Sequence, residues 1–119
     1  MGNILAPKSY KFALRIIGLY KLLTTDRKEF VLSKQVLRSG TSVGAMIREA
    51  EHAQSRADFL NKMNIALKEI NETEYWLMLL KDSSYLSETE FDSIYKDCDE
   101  LIRLLVSTVK TLKESLKKS

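Results

Sequence analysis

The sequence predicts an all-α protein, an antiparallel up-down-up-down four-helix bundle, and three observations carry that prediction. Pro7 is the only proline in 119 residues, Gly18, Gly40 and Gly44 are the only glycines beyond it, and apolar residues recur three and four apart along four long stretches. Nothing in such a chain forces strands or frequent turns. An amphipathic helix must cover its apolar stripe with a neighbour, and short connections make successive helices antiparallel.

The first helix is expected over about residues 8–23, starting after Pro7, with Phe12, Ile16, Leu19, Tyr20 and Leu23 on one face. The polar stretch Thr24 to Lys28 ends it. The second, over about 31–53, carries Leu32, Val36, Val43, Ile47 and Ala50 on a stripe that also contains Gly40. The third, over about 55–82, opens on Ser55 as N-cap with Asp58 in its first turn, and its stripe is Phe59, Met63, Leu67, Ile70 and Leu77. The fourth, over about 87–117, opens on the capping box Ser87 and Glu90 and carries Phe91, Ile94, Cys98, Leu101, Leu105, Val109, Leu112 and Leu116.

With 45% hydrophobic and 29% charged residues and no linker-like segment, residues 1–119 read as one domain. The longest apolar run, Tyr75 to Leu80, is only six residues, and the first ten residues lack an export-signal pattern, so no membrane association is expected. A lone cysteine, Cys98, and a lone histidine, His52, provide neither a disulfide nor a Cys/His zinc set. The expected location is the cytoplasm.

The net charge of +3 conceals segregation: residues 8–48 carry +7, residues 49–100 carry −8, and residues 101–119 carry +4. Such asymmetry fits either a nucleic-acid-binding face or complementary faces that meet in an oligomer. On the first helix Tyr10, Leu14 and Ile17 form a second apolar stripe, flanked by the basic residues Lys8, Lys11 and Arg15. It either widens the core-facing surface or forms a subunit interface, and with no fifth helix to cover it the interface is the favoured reading. The natural counterpart is a partly acidic face on the third helix, with Glu69, Glu72 and Trp76.

In the second helix, Gly40 and Gly44 lie one turn apart inside a run of small residues, which points to close approach of a neighbouring backbone. No phosphate-binding loop pattern accompanies them. Glu74 falls on the core side of the third helix, where a carboxylate needs a hydrogen bond or a cation. Glu49 and His52 have the Glu-x-x-His spacing of di-iron bundles, but a complete centre requires a second copy, which a single histidine cannot supply. No catalytic, metal or cofactor-binding residue is therefore assigned.

The run Phe30-Val31-Leu32-Ser33-Lys34-Gln35-Val36-Leu37-Arg38-Ser39-Gly40-Thr41-Ser42-Val43-Gly44-Ala45, followed by Asp58-Phe59, Ile65 to Glu69, Glu72 to Leu77 and Tyr85-Leu86, resembles the bacterial 23S rRNA intervening-sequence proteins. Many of these continue Ala45 with Asn-Ile-Ala-Glu-Gly, where this chain has Met46-Ile47-Arg48-Glu49-Ala50. The resemblance implies an up-and-down bundle, a pentameric ring and no known enzymatic activity. A related branch, the accessory protein of diversity-generating retroelements, is a basic pentamer implicated in binding nucleic acid and a reverse transcriptase.

The expected function is thus a non-catalytic homo-oligomer, with five copies favoured, that binds RNA, DNA or a ribonucleoprotein. Its phosphate contacts would come from Lys8, Arg27, Lys28, Lys34 and Arg38, with Lys113 to Lys118 as an auxiliary site. Its interface would set Tyr10, Lys11, Leu14, Arg15 and Ile17 against a neighbour's Glu69, Glu72 and Trp76. The alternatives are a protein scaffold without nucleic-acid binding and, more remotely, a carboxylate-metal enzyme.

Overall fold

The computed structural model describes residues 2–118, with side chains from residue 4. Four helices account for the fold: α1 (Gly2–Thr25), α2 (Leu32–Ala50), α3 (Arg56–Asp82) and α4 (Glu88–Lys118), with no strand among the described residues. Each packs on its chain neighbour, and α4 closes the bundle back onto α1, the least extensive of the four seams. The result is a rod of 51 × 22 × 21 Å.

The main difference from the periodicity reading is at the start. Helix α1 begins six residues before Lys8 and contains Pro7. A proline within the first two turns sacrifices little of the backbone ladder, and Leu5, one turn before Ser9, is buried in the core and rewards the extension. At the other boundary in question, α2 stops at Ala50, and residues 51 and 52 form a turn where the periodic pattern alone suggested helix to residue 53. The caps of the later helices are as expected. Ser55 Oγ accepts from the Asp58 amide at 3.0 Å, Ser87 Oγ accepts from the Glu90 amide at 3.1 Å, and Glu90 Oε1 accepts from the Ser87 amide at 2.9 Å.

The core gathers one stripe from each helix: Phe12, Ile16, Leu19 and Leu23; Val36, Val43 and Ile47; Met63, Ile70 and Leu77; Phe91, Ile94, Cys98, Leu101 and Leu105. Gly40 lets α1 and α2 close up. A Cβ there would stand 2.8 Å from Ile16 Cγ1, and one at Gly44 would stand 3.4 Å from the Ser9 carbonyl oxygen. Between α2 and α3 the buried Thr73 hydroxyl donates to Ser39 Oγ at 2.8 Å, satisfying both polar groups where two apolar stripes meet. Glu74 finds its partner in Tyr95, whose hydroxyl donates to Oε2 at 2.9 Å across the α3–α4 seam.

Candidate functional site

The α1–α2 loop is the most tightly organised polar element. Lys28 adopts a left-handed backbone (φ 55°), and the Glu29 amide donates to the Leu23 carbonyl at 2.9 Å. The buried Glu29 carboxylate then accepts the amides of Val31, Leu32 and Ser33 at 3.1, 2.8 and 2.6 Å, capping α2. Burial pushes this carboxyl upward, but the three amides outweigh it and hold its pKa below the ordinary value. Beside it, Arg27 makes a bidentate pair with Glu90 at 2.7 and 2.6 Å and donates to the Tyr85 carbonyl at 2.7 Å, tying the α1–α2 loop to the α3–α4 loop. That arginine, with the Ser87 amide, holds the Glu90 carboxyl down to about 2.

These pairings bear on the five residues expected to contact phosphate. Arg27 is engaged by Glu90, Arg38 pairs with Glu69 at 3.1 Å and with Glu72, and Lys8 pairs with Glu100 at 3.1 Å. Lys28 and Lys34 stay exposed with no ion pair among the described residues. Nor do the five share one patch: Arg27 lies beyond the end of α1 at Thr25, which is roughly 25 Å along the helix from Lys8 at about 1.5 Å per residue. A different basic cluster forms at the end where α1 begins and α4 finishes. There Lys110, Lys113 and Lys117 lie on the α3–α4 side around Glu114, with Lys118 following at the helix end, while Arg48 lies apart in the α1–α2 groove; all five are exposed without an ion pair among the described residues.

The residues expected at a subunit interface divide in two. Tyr10, Leu14 and Ile17 are exposed on the outer side of α1, Tyr10 by 64%, with Lys11 exposed beside them. Arg15, in contrast, turns inward across the α1–α4 seam to Asp97 at 2.7 Å and to the Ser93 carbonyl and hydroxyl at 2.9 and 2.8 Å. Glu69 and Glu72 are held by Arg38 of the same chain, and Trp76 Nε1 donates to Glu72 at 2.9 Å. Sequence reasoning passed over further exposed apolar side chains, among them Phe30 and Val31 at the α1–α2 loop, and Tyr75 and Met78 on α3. Val31 reads as the first residue of the second helix and Phe30 as the residue before it, and Tyr75 and Met78 are hidden inside the chain's longest apolar run.

Of the chemistry-bearing residues, Glu49 pairs with Lys62 at 3.2 Å, and no three His, Cys, Asp or Glu side chains converge among the described residues. His52 borders a groove of about 390 Å³ between α1 and α2, floored by Ala6, Ala13 and Gly44 and walled by Tyr10 and Arg48. Cys98 is fully buried, and burial pushes its thiol up to about 12, which leaves no thiolate for chemistry near neutral pH. No described helix is long and apolar enough to cross a membrane.

The sequence profile of the 23S rRNA-intervening sequence protein family matches residues 3–107. Among solved structures, the chain is similar to a protein of unknown function from the S23 ribosomal protein family of Bacteroides thetaiotaomicron VPI-5482. The two are 59% identical, the match covers 92% of this chain and 97% of that one, and the TM-score is 0.90. No curated protein matches the chain.

Proposed function

We propose, from the premise that this chain belongs to the 23S rRNA-intervening sequence protein family, that it is a non-catalytic cytoplasmic bundle that acts as a head-to-tail homo-oligomer. Five copies are favoured by the resemblance to this family, which implies a pentameric ring. One observation carries the reading: two separate surfaces of the bundle each expose apolar side chains, one with mostly cations and the other with mostly anions as its unpaired charges. The outer side of α1 and the α1–α2 loop carry Tyr10, Leu14, Ile17, Phe30 and Val31 with Lys11, Lys21, Lys28 and Lys34, all exposed. Near the α3–α4 connection lie Tyr75 and Met78 with Asp82, Glu88 and Asp92, also exposed. Two unlike complementary surfaces on one chain suit a heterologous contact, which closes into a ring when the rotation permits.

Size-exclusion chromatography with light scattering tests this directly. The expected mass is a fixed multiple of 13.7 kDa, and Leu14→Asp should reduce it to a monomer with unchanged helical circular dichroism. A wild-type monomer at micromolar concentration would overturn the reading, and stoichiometric iron, manganese or zinc in the purified protein would overturn its non-catalytic part.

The basic cluster formed by Lys110, Lys113, Lys117 and Lys118 near the end of α4 favours a second reading, in which the assembly binds RNA, DNA or a ribonucleoprotein. A ring would multiply these cations on one rim, and phosphate contacts release counterions, so binding should fall steeply with salt and depend little on sequence. Gel shifts with structured RNA and duplex DNA at two salt concentrations check it. Failure to form a complex at low salt leaves a protein scaffold.

A further inference from the structure

The α1–α2 loop is rigid yet displays two bulky apolar side chains to solvent. Phe30 is 54% and Val31 71% exposed, although the Glu29 carboxylate binds the Val31, Leu32 and Ser33 amides and Arg27 is bonded to Glu90 and Tyr85. Ordering such a tip on binding costs little, because the bundle has already ordered it. Two cations flank it, Lys28 and Lys34, neither with an ion pair among the described residues.

The same chain carries the complement on another side. Met78 lies between Glu74, bonded to Tyr95 of α4, and Lys81, whose ammonium sits 4.5 Å from the Phe91 ring centroid, so Met78 borders the α3–α4 seam. Tyr75 stands one turn before it, and the exposed Asp82 one turn after it. Asp92, three residues before Tyr95, borders the seam from α4 and is also exposed. Neither aspartate has an ion pair among the described residues. Because α1 and α3 run in the same direction, the tip and the last two turns of α3 lie at the same end of the rod. In a ring of side-by-side bundles, surfaces at equal height meet.

We propose that the Phe30–Val31 tip of one copy seats on Tyr75 and Met78 of a second copy, with Lys28 and Lys34 facing that copy's Asp82 and Asp92. The inference rests on the self-association reading and identifies its anchor. The occupant is a second copy because both halves of the contact, apolar and charged, are present and unpartnered on this chain, on sides that one bundle cannot bring together.

Sedimentation velocity of the full chain tests it, with circular dichroism as the folding control. F30S/V31S should raise the dissociation constant by at least about tenfold. K28E/K34E and D82K/D92K should each weaken assembly, and all four reversals combined in one chain should restore it. Independently of any loss of stability, a mixture of V31C and M78C chains should form a disulfide between copies under mild oxidation with diamide, while neither chain does so alone. If the wild-type chain is a monomer, the self-association reading falls and this proposal with it. If the wild type assembles but the tip variants keep its mass and affinity, or the cysteine mixture does not cross-link, self-association stands and the tip assignment is overturned. Tip variants that keep the mass but lose a single-stranded RNA gel shift would overturn it in favour of a nucleic-acid contact.

Discussion

Two glycines in helices have opposite reasons to be there. Each costs roughly 1 kcal/mol relative to alanine in a helix interior, so replacing either should be favourable where space permits. At Gly18 a Cβ meets nothing within 4 Å, and Gly18→Ala should stabilise the monomeric bundle by about 0.5–1 kcal/mol. At Gly40 the new methyl would collide with Ile16, a fully buried β-branched side chain whose rotamers are few. Set against the propensity gain, an overpacking cost of about 1–3 kcal/mol means that Gly40→Ala should destabilise by up to about 2 kcal/mol. Urea melts of the two variants check the contrast, and equal effects would show that α1 and α2 yield at this contact. The close approach at Gly40 was legible because a glycine on an apolar stripe gives up both helix propensity and apolar burial, a double loss that a neighbour packed into the space offsets. Ser39 and Thr73 were not, since their partnership depends on two helices meeting in one register, which no local spacing encodes.

At the scale of the element, two carboxylates hold helix starts. Glu29 caps α2, and Glu90 belongs to the capping box of α4 while clasping Arg27. Both carboxyls titrate below the ordinary value near 4.5 in the folded chain, Glu90 at about 2. Between those values the unfolded chain binds more protons than the folded one, so stability rises with pH there. Their contribution is complete above about pH 4.5 and is lost as pH falls below it, for Glu90 toward about 2. Glu29→Gln should lower stability at pH 7 by about 2 kcal/mol, because a buried charged acceptor of three amides is replaced by a neutral one. It should also flatten the acid limb, as should Glu90→Gln, and denaturant titrations between pH 2 and pH 7 read both effects. Ser55 and Ser87 were legible as caps because donor and acceptor lie three residues apart, the spacing that a helix start imposes. Glu29 was not, because a glutamate in the connection between two helical stripes gives no cue until Lys28 turns left-handed and folds it back over the helix start. Pro7 misled in the other direction: it reads as a boundary, whereas the burial of Leu5 carries α1 through it.

For the whole molecule the question is which forces hold one bundle and which hold several together. Within the chain, the ion pairs Lys8–Glu100 and Arg15–Asp97 join half-exposed side chains, and pairs of this kind are worth about 0–1 kcal/mol each. The bundle therefore rests on its apolar core, and a monomeric variant such as Leu14→Asp should change its denaturation midpoint little with added salt. The proposed contact between copies differs, because its charges are sorted: Lys28 and Lys34 on one surface, Asp82 and Asp92 on the other. Attraction between such surfaces is screened once the Debye length shrinks from about 14 Å near 50 mM salt to about 4 Å near 500 mM. Over that range the dissociation constant of the assembly should rise by roughly tenfold, while the apolar contacts of Tyr10, Leu14, Phe30 and Val31 keep it from dissociating altogether. Sedimentation equilibrium of the wild type at the two salt concentrations, beside urea melts of Leu14→Asp, separates the two terms. An assembly indifferent to salt would mean that apolar burial alone joins the copies, and that the segregation of charge along this chain serves some other partner.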